Sequence, residues 1–124
     1  MANPVLTKSF DAEAAIARFR IVKFGSGDGA AVQAAAATDA LIGVADALGA
    51  ESGRRADVIV QGVAEVEYGG NVTRGALLTA DADGKAVAAA PAAGANCRVI
   101  GVAMVSGVSG DIGSVLVSPG SMQG

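Results

Sequence analysis

Glycine recurs every few residues along this chain, with 18 glycines among 124 residues. Because a glycine inside a helix costs about 1 kcal/mol relative to alanine, long helices are not expected. Between the glycines lie short segments rich in valine and isoleucine and bounded by Asp, Ser and Gly, a pattern typical of strands joined by turns. The sequence therefore predicts an all-β fold, as a compact β-sandwich or a β-barrel-like body.

Nine segments fit this strand pattern. The clearest is 63–68, where two glutamates alternate with apolar residues, as in an antiparallel strand with one buried face. Segment 98–105 is apolar on both faces, which indicates a central strand or one that a neighbouring subunit covers. The remaining candidates are 18–24, 30–35, 41–45, 57–61, 76–80, 85–89 and 114–118.

Parts of the sequence occur twice in the same order. Segments 28–35, 42–45 and 58–60 recur 55, 58 and 57 positions later, at 83–90, 100–103 and 115–117. We interpret this as an internal duplication of residues 18–62 and 73–120; the alternative is chance similarity in a chain rich in Ala, Gly and Val. Two copies are too few for a solenoid and suit one pseudo-symmetric body. We predict an N-terminal arm, residues 1–17, followed by a single β domain, residues 18–124.

Large side chains are scarce, since aromatic residues make up 3% of the chain and tryptophan is absent. Such a chain has a thin core, and burial against other subunits would supplement its stability. The formal net charge of -3 gives no basic face for nucleic acid. No apolar segment approaches the ~20 residues that span a bilayer, so we expect no nucleic-acid partner and no membrane partner.

Residues that carry chemistry are also few. The chain has no histidine, which excludes Ser-His-Asp and Cys-His catalysis. Its one cysteine, Cys97, is better explained as a small residue entering an apolar strand than as a reactive thiol. Asp81 and Asp83 lack the spacing and the distal glutamate of a calcium-binding EF-hand. We therefore expect no enzymatic activity, no catalytic residue, no cofactor and no metal site.

Several segments, in their order along the chain, resemble the capsid cement proteins of tailed bacteriophages. The similarity covers about residues 4–120 and rests on segments 20–25, 41–46, 57–62, 72–87, 99–103, 110–111 and 115–120. The resemblance implies a compact β fold without catalysis that binds the outer surface of an assembled phage head. It implies the major capsid protein as partner and a homo-oligomer, with a trimer favoured over a dimer, made in the cytoplasm of the host bacterium.

Two groups of residues are candidates for these contacts. Pro4, Val5, Leu6 and Phe10 lie outside the duplicated unit, and we predict that they contact the capsid, for instance by adding a strand to an exposed sheet edge. The alternative is a disordered terminus. For self-association we predict the apolar strand around Val99, Val102 and Met104.

A different function would suit the same composition. The chain could be a β module of a phage tail or fibre that binds the host surface. Such glycan-binding sites commonly present aromatic platforms, and this chain has one tyrosine and three phenylalanines. A hydrolase is disfavoured because no acid–base constellation is recognisable.

Overall fold

The computed structural model describes residues 2–124, and within this range the chain forms nine β-strands and no helix. The prediction of an all-β fold is therefore confirmed. The strands are β1 (Asn3–Ala12), β2 (Ile21–Phe24), β3 (Ala30–Gln33), β4 (Leu41–Ala45), β5 (Arg55–Glu67), β6 (Leu77–Ala80), β7 (Ala86–Ala88), β8 (Asn96–Ala103) and β9 (Ile112–Gln123).

The strand pairings close two successive rings. In the first ring β1 pairs with β3, β3 with β2, β2 with β4, β4 with β5, and β5 returns to β1. The continuation of β5 pairs with β9, and the sheet runs on through β8 and β6 to β7. Tyr68, directly after β5, forms a parallel bridge to Ala86 of β7 and so closes the second ring. Closure leaves few free sheet edges.

The pairings of the first ring recur in the second, 55 to 58 positions later. Val22 opposite Gln33 in β2 and β3 corresponds to Leu78 opposite Ala88 in β6 and β7. Bonds outside the ladders recur too: the N–H of Ala12 donates to the carbonyl of Arg54 at 2.9 Å, and that of Tyr68 donates to Asp111 at 2.8 Å. We call residues 3–61 the first half and residues 62–123 the second half. The repeated unit thus includes β1 and the later part of β5, and is longer than 18–62 and 73–120.

The N-terminal segment is extended, but it belongs to the sheet. Strand β1 lies antiparallel to β5 from Asn3 opposite Val63 to Asp11 opposite Arg55. The end of β1 is buried because Phe10 helps to fill the first ring. Residues 3–12 therefore do not form an arm outside the β body; Met1, the start of the predicted arm, lies outside the described residues.

The two rings enclose equivalent sets of side chains with their large residues placed differently. In the first half the aromatic residue inside the ring of strands is Phe10 of β1. In the second half it is Tyr68, which occupies the position equivalent to Ala12. Tyr68 is fully buried, and its hydroxyl donates to the carbonyl of Val105 at 2.7 Å. A methyl group at Gly113 would overlap the Tyr68 ring, and the equivalent residue in the first half is Ala56. The missing side chain at Gly113 makes room for the tyrosine.

A second pair of equivalent glycines marks where strands approach closely. A methyl group on Gly43 of β4 would overlap the carbonyl oxygen of Ile59, and one on Gly101 of β8 would overlap that of Leu116. Each glycine thus permits the same close crossing between neighbouring strands of its ring.

Candidate functional site

Two equivalent rows of side chains cross the outer faces of the two rings. Each row runs over four strands whose residues lie directly opposite one another, so the side chains share one face of the sheet. The first row is Thr7, Ile59, Val44 and Ile21. The second row is Val63, Leu116, Val102 and Leu77. The two rows have the same register, but the first is buried and the second is open to solvent.

The apolar residues of the first row are buried against the second half. Ile21 and Val44 are fully buried, and Ile59 is nearly so. All three belong to the same core cluster as Val66 and Ile100 of the second half. The first row is therefore an interface between the two halves.

The second row faces solvent. Leu77 is 40% exposed and Leu116 is 45% exposed, while Val63 and Val102 are half-buried. Side chains on one face of a sheet that carry no polar atoms and remain in contact with water are typical of interaction surfaces. The second row is thus an apolar surface without a cover in the described chain.

The apolar surface continues beyond the second row toward the N-terminus. Met104 and Val105 are exposed at the end of β8, next to a depression of about 600 Å³. Ala2 and Asn3 line this depression from the other side. The start of β1 and the outer face of the second half therefore form one connected surface.

The residues predicted to contact the capsid separate into two groups. Pro4 is exposed, as are Val5 (77%) and Leu6 (51%), at the start of β1. Phe10 lies inside the first ring, where its ring centroid is 6.5 Å from that of Phe24 in an edge-to-face arrangement, so it is not part of the exposed surface. Its burial follows from strand pairing, since β1 turns its last apolar residues into the ring.

The residues predicted to mediate self-association also divide. Val102 and Met104 lie on the outer surface, but Val99 is buried. Val99 lies opposite Gly120 on one side of a register shift between β8 and β9, and its side chain is buried there. Val102 lies opposite Leu116 on the other side of the shift, in the second row. Leu116 was missed by sequence reasoning, although alternation of Ile112, Ser114, Leu116 and Ser118 along β9 signals an outward face.

A charged cluster lies beside the junction of the two halves. The Glu67 carboxylate contacts Arg20 at 3.3 Å and Lys85 at 3.2 Å. Partial burial pushes the pKa of Glu67 upward, but the hydrogen bond from Lys85 and the charges of Arg20 and Lys85 outweigh it and hold the pKa below its ordinary value. The cluster is a structural clamp, with one residue from the first half and two from the second.

Residues 2–124 contain no group of three or more His, Cys, Asp or Glu side chains that could hold a metal ion. They also contain no helix long and apolar enough to cross a membrane. Cys97 is a buried free cysteine. The surface formed by the second row and the start of β1 is the candidate functional site.

Comparison with known proteins identifies the family of this chain. The family model of the phage cement proteins matches residues 2–119. The chain belongs to the phage cement protein family. It is therefore a structural protein of a bacteriophage, and the predicted family resemblance is confirmed. No curated protein sequence matches the chain.

The fold of this cement protein is also found in a solved structure. The base of the head fibre protein gp8.5 of bacteriophage phi29 superimposes with a TM-score of 0.66 at 19% sequence identity. The match covers 91% of this chain and 93% of the phi29 chain, so the two proteins share their overall fold. At this identity the likeness concerns the fold.

Proposed function

We propose that this protein binds the outer surface of the assembled phage head and stabilises the contacts between major capsid protein subunits. The observation that carries the proposal is the match to the phage cement family over nearly the entire chain. The structure supports it with an apolar surface suited to protein contacts rather than a pocket with converging ionisable groups. The protein would be made in the host cytoplasm and act as a homo-oligomer on the virion, with a trimer favoured.

The start of β1 is our candidate for the contact with the major capsid protein. Val5 and Leu6 present two adjacent apolar side chains to solvent, and Pro4 precedes them. Before Asp11, only one edge of β1 is paired, because β5 lies along it and β3 joins it at Asp11 and Ala12 alone. An open edge with exposed apolar side chains can accept a strand of another protein. Many copies on one shell would convert a modest contact into strong attachment.

Replacing these apolar side chains tests the capsid contact. We expect the double variant Val5→Ser/Leu6→Ser to weaken binding to purified heads that lack this protein by about tenfold or more, since each lost apolar contact removes roughly 1–2 kcal/mol. The measurement is co-sedimentation of the variant with the heads over a concentration series. Both side chains are exposed, so the fold should remain intact.

Leu48→Ser is the matched control, because Leu48 is an apolar residue that is 85% exposed on the loop between β4 and β5. It should bind heads like the unaltered protein. Wild-type affinity of the double variant would reject the start of β1 as the capsid contact. Failure of the unaltered protein to bind heads at all would reject the cement function itself.

A second candidate function is suggested by the fold shared with the phi29 head fibre base. On that basis the chain would be a module of a fibre or tail that reaches toward the host surface. Electron microscopy of virions labelled with an antibody against this protein separates the two candidates. Label distributed over the head supports cement, whereas label on the tail or on a few projecting fibres supports the alternative.

A further inference from the structure

A turn of the second half is hydrogen-bonded to the first half. Residues 82–84, which we call the docked turn, pack against the first half at the end of the first row. The N–H of Ile21 donates to the carbonyl of Gly84 at 2.8 Å. The carbonyl of Asp83 accepts from Arg20 Nη1 at 2.9 Å and from Gln33 Nε2 at 2.8 Å. Gly84 is buried by this contact, and a methyl group on it would lie 2.8 Å from Gln33 Cγ.

The equivalent turn of the first half has no such contact. Residues 27–29, which we call the free turn, are exposed, and a methyl group on Gly27 or Gly29 would meet nothing within 4 Å. Beside this turn, Phe24 is 57% exposed, whereas its equivalent beside the docked turn, Ala80, is buried. The free turn therefore presents an apolar ring and an open backbone to solvent.

The residue that precedes the free turn is nevertheless anchored to the β body. The N–H of Ser26 donates to Glu13 Oε1 at 2.8 Å, and the Ser26 hydroxyl donates to Glu13 Oε2. These bonds lower the pKa of Glu13, which keeps the carboxylate charged and the contact in place. A turn anchored at one end loses less conformational entropy when it docks on another surface.

One copy of this chain thus contains two equivalent pairs of surfaces, each made of a turn and a row. The docked turn and the first row contact each other, whereas the free turn and the second row have no such contact. The docked turn covers the end of the first row, while the free turn and the second row both remain open to solvent. We infer that copies of this protein associate head to tail, with the free turn and Phe24 of one copy packed on the second row of the next. This names the contact behind the self-association in the proposed function, and it rests on that part of the proposal.

The chemistry of the unused surfaces differs from the internal contact in a consistent way. The polar residues Arg20 and Gln33, which bind the docked turn, are replaced at the equivalent positions by Ala76 and Ala88. In exchange, the buried Ala80 is replaced by the exposed ring of Phe24. Hydrogen bonds inside one chain are thus exchanged for apolar contact between chains, as expected of an interface between copies.

Such a contact joins two different surfaces, so each copy can bind one neighbour on either side. Repetition closes into a ring when the rotation allows it. A head-to-tail contact also makes a prediction that a contact between two identical patches does not make: two variants, each lacking a different surface, complement one another.

The test uses Gly27→Arg, which blocks the free turn, and Leu116→Ser, which removes the centre of the second row. Each variant alone should associate at least about tenfold more weakly than the unaltered protein. Mixed in equal amounts, they should form a complex containing one copy of each, because one intact turn meets one intact row. The measurement is molar mass by light scattering during gel filtration, with thermal unfolding as a check that both variants fold.

Leu48→Ser should keep the mass of the unaltered protein. A monomeric unaltered protein, wild-type mass for either variant, or a mixture that stays monomeric would each overturn the head-to-tail contact. No phage heads are present in this experiment. Its failure would therefore leave binding to the head, measured by co-sedimentation, as a separate question.

Discussion

The two halves of this protein share their strand pairings and differ in what surrounds them. Ile21 of the first half and Leu77 of the second are both apolar and lie at equivalent register positions. Ile21 is fully buried, whereas Leu77 is exposed. The amino acid alone therefore does not determine burial here; the difference arises because the second half covers Ile21, whereas no part of residues 2–124 covers Leu77.

The interiors of the halves differ in a complementary manner. The first ring combines Phe10 with alanines at positions 12 and 56, while the second combines Val66 with Tyr68 and Gly113. Close packing requires the summed volumes to fill the ring, so a large residue at one position needs a small one beside it. The same backbone pairing accepts either distribution, provided that the residues change together.

Removal of Tyr68 should have the largest effect on stability. We expect Tyr68→Ala to lower the free energy of unfolding by about 3–5 kcal/mol, because it leaves a cavity in the second ring. Tyr68→Phe should cost about 1 kcal/mol, the value of the hydrogen bond to the carbonyl of Val105. Chemical denaturation of the purified variants measures both.

A double variant shows whether Tyr68 and Gly113 depend on each other. Gly113→Ala alone should cost about 1–3 kcal/mol, since the added methyl group overlaps the tyrosine ring. In the Tyr68→Ala background it should cost about 1 kcal/mol less, because the ring is gone. Equal costs in both backgrounds would show that the two positions are not coupled.

Backbone strain at the position shared by Gly75 and Phe19 should have a smaller effect on the free energy of unfolding. Gly75 has φ 93°, and its equivalent, Phe19, has φ 59°, so the first half carries a side chain in the left-handed region where the second half has none. A methyl group on Gly75 meets nothing within 4 Å, so Gly75→Ala isolates the backbone cost, which we expect to be about 1–2 kcal/mol.

Gly70→Ala is the matched control for this measurement. The nearest atom to its added methyl group is Val87 Cγ1 at 3.9 Å, and Gly70 is not among the residues with positive φ. Thermal unfolding should show a clear loss for Gly75→Ala and little change for Gly70→Ala. Equal unfolding temperatures would refute a strained conformation at this turn.

The smallest expected effect is the pH dependence of the clamp at Glu67. Because its pKa in the folded chain is lowered, the clamp contributes stability above the ordinary value of 4.5 and loses it as the pH falls toward the folded pKa. Unfolding temperatures measured through this range should fall less steeply for Glu67→Gln than for the unaltered protein. Parallel curves would show that Glu67 does not link the halves.

Most strands could be predicted because their signals are local. Short apolar segments between Asp-Gly turns correspond to β2, β3, β4, β6 and β7, and Gly29 and Gly84 adopt the positive φ that such turns require. Pairing over long distances has no such signal. The sequence predicts an arm in place of β1 because the partner strand β5 lies about fifty residues away, and it predicts two strands on either side of Gly62, although β5 continues through this residue.

The candidate surface could be predicted in part for the same reason. The apolar segment predicts Val102 and Met104 as surface residues, but the burial of Val99 depends on how β8 pairs with its partner strand β9. Leu77 and Val63 became part of one surface only when the register placed them in a row with Leu116. A single sequence does not contain that register.

Strand β5 is a wall of both rings, since residues near its start pair with β1 and β4 and residues near its end pair with β9. Neither ring can open fully without withdrawing bonding partners from the other. Heat or mechanical load applied at one end of the molecule is therefore resisted by both, and the chain should melt in a single cooperative transition. On the phage head, where we propose that the protein binds, unfolding as one unit would protect the subunit against partial opening.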